Sequence, residues 1–235
     1  MIDYPRDPVH YLFFLSRTTE HTMTVAVIPF KPKNPKTRLS CVLDEQEREA
    51  FAEAMLLDVV DVVRDADCQV VILGTELFDS ELVQVTIRDM GLSDALNEYL
   101  SCAVTDVLII MADLPLADRE SVKRVTGTKK DMAVVPGRGG GTNVIYLKEP
   151  ARFRVDYYGG SYLKHMRIAA ESGLSCEVID SFRLHTDIDE KEDLAELLIH
   201  GTGKSRAFLL ERGFALITEN GRTVIERRSP HKDLQ

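Results

Sequence analysis

Five apolar residues in a row, Val107 to Met111, followed at once by Ala112-Asp113-Leu114-Pro115, constrain this chain more than any other stretch. The unbroken run lacks the alternation of a strand with one wet face. It suits a strand buried on both faces, as in a parallel sheet. Pro115 has no amide hydrogen to give to a ladder, so the strand stops before it. Asp113 therefore stands at the strand's carboxyl end, the edge where open α/β sheets bind ligands. A carboxylate there suits a divalent cation facing a phosphate. It equally suits a turn that leads into a helix, and the segment alone leaves both readings open.

The rest of the chain supplies partners for such a strand. Thr24–Ile28 and Val70–Leu73 read as strands, the second ending in Gly74-Thr75. Between them, Asp44 with Glu47 three residues on opens a helix whose apolar face carries Phe51, Met55, Val59 and Val63. Part of Leu82–Arg88 reads as a strand, and Gly91–Ala103 and Asp118–Val125 as helices. Met132–Pro136 and Val144–Leu147 read as strands, Ser175–Ile179 as another, and Glu190 opens a helix through Leu194, Leu197 and Leu198. Strands alternating with helices are the mark of the α/β class. Beyond Gly203 the pattern predicts a short helix and a hairpin, Phe214–Arg227, turning at Asn220-Gly221.

The 235 residues suffice for one large α/β domain with an appendage. The expected division is an N-terminal extension over 1–22, a catalytic domain over 23–203 and a C-terminal helix and hairpin over 204–235. Met23 stands directly before the first strand, so translation starting there is one account of the arm. Packing of its Tyr11–Leu15 patch on the domain or on a partner is the other. A net charge of -9 argues against nucleic acid as a partner. Cys41, Cys68, Cys102 and Cys176 are scattered without a CxxC pair, which predicts reduced thiols in a cytoplasm. No apolar run approaches the roughly 20 residues needed to span a bilayer.

Four stretches carry candidate chemistry. The loop after the first strand holds Lys31, Lys33, Lys36 and Arg38 among three prolines. In an acidic protein, a stiff cationic loop at that position is a candidate polyphosphate site, with a solvated surface loop as the alternative. Gly137-Arg-Gly-Gly-Gly-Thr-Asn143 fits neither a Walker A motif nor GxGxxG. It can turn amides towards an anion or simply close a hairpin. Tyr158-Gly-Gly-Ser161 leads into a helix, an anion seat with Ser161 as a possible cap. His165 on that helix reads as a packing or surface residue. Asp187 and Asp189 are two apart, so in an extended segment their carboxylates point the same way and call for a cation, unless Asp189 only caps the helix that follows.

Val27-Ile-Pro-Phe-Lys with Lys36-Thr-Arg-Leu, Ala112-Asp-Leu-Pro-Leu, Gly139-Gly-Gly-Thr-Asn, Tyr158-Gly-Gly-Ser and Thr186-Asp-Ile-Asp occur in this order. Together they resemble the 2-phospho-L-lactate guanylyltransferases of deazaflavin coenzyme biosynthesis, over about Met23 to Gly203. The resemblance implies a three-layer α/β/α sandwich with a mixed, mostly parallel sheet, the nucleotidyltransferase fold related to GT-A enzymes. It implies transfer of GMP from GTP to the phosphate of 2-phospholactate or phosphoenolpyruvate. It also implies magnesium on Asp113, Asp187 and Asp189, with Lys36 and Arg38 as the catalytic cations beside Asp113. Pro29, Gly74, Gly91 and Ser93 would border the nucleotide, Ser93 standing where the family often has Asn. Thr142, Gly159 and Ser161 would hold the acceptor. The expected partners are thus GTP and a phosphorylated three-carbon acid, with no nucleic acid and no membrane. The arm and the hairpin would permit a homodimer. Competing readings are a cytidylyl or sugar-1-phosphate transferase of the same fold, and a GTP-binding sensor without turnover.

Overall fold

The computed structural model describes residues 23–74, 84–87, 90–219 and 221–228. The arm over 1–22 with its Tyr11–Leu15 patch, Thr75 and the hairpin residue Asn220 lie outside the described residues.

The chain folds around a seven-stranded sheet. Its strands are β1 (Val25–Phe30), β2 (Gln69–Gly74), β3 (Gln84–Ile87), β4 (Val107–Ile110), β5 (Met132–Pro136), β6 (Thr142–Leu147) and β7 (Cys176–Val178). Their order across the sheet is β3-β2-β1-β4-β6-β5-β7. Pairing is parallel except for β6, which runs antiparallel to both β4 and β5. The chain leaves β1 on one side to form β2 and returns on the other to form β4. The carboxyl ends of β1 and β4 thus diverge at a topological switch point.

Alternation along the strands sorts the core into two layers. Ala26, Ile28, Leu108 and Ile110 pack beneath α1 (Glu45–Asp65) and α3 (Arg119–Thr126), through Leu56, Val59, Val63, Val122 and Val125. Val25, Val27, Val107 and Ile109 face α2 (Leu92–Cys102) and α4 (Ser161–Glu171), through Leu96, Leu100 and Ala169. Helices on both faces of a mixed sheet make the expected three-layer α/β/α sandwich. A third cluster joins Phe51 and Met55 of α1 to α6 (Asp193–His200), α7 (Lys204–Glu211) and the hairpin β8–β9 (Phe214–Glu219, Arg222–Arg227). Phe51 and Met55 are wholly buried there, each contributing about 2 kcal/mol.

Local signals set the helix starts. Asp44 caps α1 in a reciprocal capping box with Glu47, and Asp118 caps α3 with Ser121. Most boundaries shift by a residue or two, and three of the shifts bear on the site. β4 ends at Ile110, although Met111 still donates its amide to Asn143 O at 3.0 Å. β6 starts at Thr142 rather than Val144, because its pairing with β5 continues to Pro136↔Thr142 across an irregularity. Gly137–Gly141 is therefore a hairpin connection, with Gly139 and Gly140 at φ of 66° and 84°. The last core helix starts at Asp193 instead of Glu190, because the Asp193 carboxylate accepts the amides of Asp189 and Glu190 and folds that stretch into a turn.

Candidate active site

The β1–α1 loop turns back over the sheet edge. Arg48, buried on α1, braces it by donating to Asn34 Oδ1 at 3.0 Å, Pro35 O at 3.2 Å and Leu43 O at 3.2 Å. This holds Lys36 in the left-handed region, φ 50°, an uncommon state for a residue with a Cβ that costs roughly 1–2 kcal/mol. The Lys36 side chain is thereby aimed inward. Its ammonium donates to Asp113 Oδ2 at 2.6 Å and to Asp189 Oδ1. Burial pulls the ammonium's pKa down, but the two carboxylates push it up by more and it ends above 10.5. Arg38 lies outside this pair, two-thirds exposed, 3.7 Å from Asp189 Oδ2 and 3.4 Å from Glu190 Oε1.

The Thr186–Asp189 segment is held by hydrogen bonds rather than by a helix. Ile188 donates its amide to Asp113 O at 3.0 Å, tying the segment to the end of β4. Arg138, from the glycine hairpin, donates to Asp187 O at 2.7 Å and meets Asp193 Oδ1 at 2.5 Å. Asp189 does not cap α6, and Asp113 does not cap α3, whose cap is Asp118.

Asp113 Oδ1 and Asp187 Oδ1 are both buried with no hydrogen-bond partner. Arg138 Nε comes only to 3.8 Å of Asp187 Oδ1. Burial, then the Asp113 charge, push the Asp187 carboxyl above its ordinary 3.8, and the Asp189 charge adds to this. Among the described residues no three His, Cys, Asp or Glu side chains already form a metal cage. Two orphaned carboxylate oxygens beside an anionic pair bridged by an ammonium nevertheless fit a hard divalent cation, which favours carboxylate oxygen. The three aspartates, Lys36 and Arg38 thus gather at one place. An open cleft of about 380 Å³ there is lined by Pro29, Lys36, Arg38, Asp113 and Asp189.

A second group lies beyond the hairpin. Thr142 and Ser161, both buried, are hydrogen-bonded to each other at 3.1 Å. Ser161 does not cap α4; Gly160 occupies the cap position at φ 64°, with no side-chain cap. Gly159, also left-handed, has open space where a Cβ would stand. Ser93 at the start of α2 accepts the Tyr157 amide at 2.9 Å, and a Cβ on Gly91 would stand 3.2 Å from the Tyr158 hydroxyl. These two residues are therefore tied to the segment that precedes Ser161, not to the carboxylates. Gly74 lies beside Phe30 on the sheet's carboxyl edge and contributes backbone there. Arg48, Arg138, Asp193 and His165 were missed as parts of the site. For Arg48 and His165 the available signal was a polar residue at helical spacing on an apolar face, with Phe51, Ala52 and Met55 on α1 and with Ala169 on α4.

A family model described as "Guanylyl transferase CofC like" matches residues 24–228. The chain belongs to that family. The order of the five motifs therefore pointed to the right relatives, and the match also takes in α7 and the hairpin. A 2-phospho-L-lactate guanylyltransferase from Methanoregula boonei is 63% identical over 202 residues, covering 86% of this chain and 94% of the relative. Another from Methanoculleus marisnigri is 54% identical over 210 residues, covering 88% and 97%. Among solved structures, one assigned as a nucleotide-diphospho-sugar transferase from Desulfovibrio desulfuricans superposes with a TM-score of 0.65 at 16% identity, over 80% of this chain and 94% of that one. That likeness shows the fold, a nucleotidyltransferase α/β/α sandwich. The chain is a guanylyltransferase. Among the described residues no helix is long and apolar enough to cross a membrane.

Proposed function

We propose that this enzyme joins GMP from GTP to the phosphate of 2-phospho-L-lactate and releases pyrophosphate, within deazaflavin coenzyme biosynthesis. The observation that carries the reading is the meeting of Lys36, Arg38, Asp113, Asp187 and Asp189 at the sheet's switch point. An acceptor phosphate oxygen attacks the α-phosphorus of GTP, and the bond from that phosphorus to the β-phosphate oxygen breaks. The nucleophile is already an anion, so little proton chemistry is needed; charge neutralisation and in-line placement dominate.

Lys36 and Arg38 neutralise the triphosphate and the departing pyrophosphate. The exposed Arg38 guanidinium would grip phosphate oxygens in a bidentate way. Gly159, Ser161 and Thr142 seat the acceptor's anionic end, aided by the uncapped amides at the start of α4. Pro29 and Gly74 border the nucleotide, and Gly91 and Ser93, tied to the Tyr157–Tyr158 segment, would meet it from the acceptor side. Asp113, Asp187 and Asp189 would hold magnesium, which supplies further charge neutralisation at the phosphates. The four thiols, all unpaired, suit a reducing cytoplasm.

The test is product analysis with magnesium and one nucleoside triphosphate at a time, against 2-phospho-L-lactate, phosphoenolpyruvate and 3-phosphoglycerate. The expected result is pyrophosphate release and a guanylated diphosphate with GTP and 2-phospho-L-lactate. Turnover with CTP in preference to GTP, or with a sugar phosphate in preference to all three acids, would overturn it.

A further inference from the structure

His165 is wholly buried on α4, one turn after Ser161. Its Nε2 accepts the backbone amide of Asp156 at 2.9 Å. A backbone amide can only donate, so Nε2 carries no proton and the ring's single hydrogen sits on Nδ1. Nδ1 lies 2.9 Å from Thr142 Oγ1, so it donates there. Burial pushes the imidazole down to about 4, which keeps it neutral and this arrangement fixed at working pH. Tyr157 packs edge-on against the ring at 4.9 Å and holds its plane.

The consequence lies in the hydrogen count. Thr142 and Ser161 together own two hydroxyl hydrogens, and one of these is used in the bond between them. The imidazole Nδ1, which could have accepted the other, carries its own hydrogen and donates instead. One hydroxyl hydrogen therefore remains without an acceptor among the described residues, near the place where the hairpin's Gly140 approaches Gly160 at the start of α4. The geometry points to His165 as a positioning residue that makes Thr142, whose oxygen already accepts from His165 and Ser161, an obligate hydrogen-bond donor to an anionic oxygen of the acceptor. The inference rests on the acceptor seat proposed above. It also narrows the ligand: the atom facing Thr142 must be an acceptor, and a carboxylate or phosphate oxygen is the strongest one for such a hydroxyl.

The test is steady-state kinetics on the purified enzyme with magnesium, GTP and 2-phospho-L-lactate. His165→Leu removes both ring hydrogen bonds. It should raise the KM for the acceptor by about 10-fold or more, the size expected for one hydrogen bond to a charged group, and leave the KM for GTP unchanged. His165→Asn keeps a donor near the Nδ1 position and His165→Gln keeps an acceptor near Nε2, so Asn should restore the acceptor KM and Gln should not. Combining His165→Leu with Thr142→Val should be no worse than Thr142→Val alone, because the two act through one contact. Equal rescue by Asn and Gln, or additive losses in the double variant, would overturn the inference. If His165→Leu does not fold, the Asn and Gln pair decides it. An acceptor KM unchanged by Thr142→Val would instead remove the seat itself, and the inference with it.

Discussion

Asp187→Asn should make the metal-free protein more stable while disabling it. Asp187 is mostly buried, and its Oδ1 has no hydrogen bond. Its carboxyl is raised above the ordinary 3.8 by burial and by the charges of Asp113 and Asp189, against the pull of Arg138. The sign follows: with a folded pKa above the unfolded one, ionisation is penalised in the folded state. The associated stability is present below the unfolded pKa and lost as pH rises through the folded one. At neutral pH the wild type thus carries a cost that the neutral amide does not. An unsatisfied buried polar group costs about 1–3 kcal/mol, and Asn can turn its NH2 towards Asp113, so a relief of about 1–2 kcal/mol is expected. At about 2–4 °C per kcal/mol for a chain of this size, the Tm in chelator should rise by about 2–8 °C. The gap should be widest near neutral pH and narrow towards acid, as the wild-type carboxyl takes up its proton. Activity should move the other way, with kcat down by on the order of 10²-fold or more, about 2.7 kcal/mol. Thermal melts with chelator at several pH values, beside turnover with magnesium, measure both. A variant that melts at or below the wild type at neutral pH, or that turns over normally, would refute the picture of a carboxylate held at a cost for a cation.

Arg38→Ala should raise the KM for GTP more than that for the acceptor, and Arg38→Lys should rescue only in part, because an ammonium cannot grip two oxygens at once; equal effects on both substrates in steady-state kinetics would count against its place at the triphosphate. Gly137→Ala should destabilise the fold by about 1–3 kcal/mol and lower kcat, since the new Cβ would meet Asn143 Oδ1 at 2.1 Å; an unchanged urea midpoint would show that Asn143 yields without consequence.

The parts of this fold that were legible in the sequence are those whose partners are near in the chain or uniform in chemistry. Val107–Met111 suited a strand buried on both faces, as Val107–Ile110 proves to be, and the place of Asp113 followed from where Pro115 stops it. Asp44 and Glu47 announced the start of α1 because the capping box is local. Strand direction was not legible. An apolar run buries equally well in either sense, so the antiparallel course of β6 appears only once its ladder with β4 is seen. The buried polar scaffold was hidden for a related reason. Arg48 lies in line with the apolar face of α1, three and four residues before Phe51 and Ala52, and is 8% exposed, but the backbone oxygens it braces belong to a loop whose course no local pattern shows. Asp193 reads as one more acid in the first turn of α6, yet its carboxylate organises Asp189, Glu190 and Arg138. Ser161 had the local look of a cap, but its hydroxyl partner lies 19 residues earlier, on a different element.

The antiparallel strand explains why the two halves of the site stay in register. β6 begins with two polar residues, and the irregularity opposite Val135 and Pro136 breaks its strict alternation there, so that Thr142 leaves the layer of Val144. Asn143 turns to one face and donates to Leu184 O at 3.0 Å and His185 O at 3.1 Å, fixing the chain immediately before Thr186–Asp189. Thr142 turns to the other and joins Ser161 and His165 on α4. The carboxylates proposed for the cation and the hydroxyls proposed for the acceptor are thereby positioned from consecutive residues of one strand. Their separation is set by the sheet itself rather than by the loops that carry them. A parallel β6 would have brought its carboxyl end to this edge instead, and Leu147 and Tyr146 would stand where Thr142 and Asn143 do. The reversed strand is therefore what lets the glycine hairpin, with Arg138 at its turn, reach the Asp187 backbone. In-line transfer tolerates little error between donor and acceptor phosphates, and a shared strand start is a stiff way to limit that error.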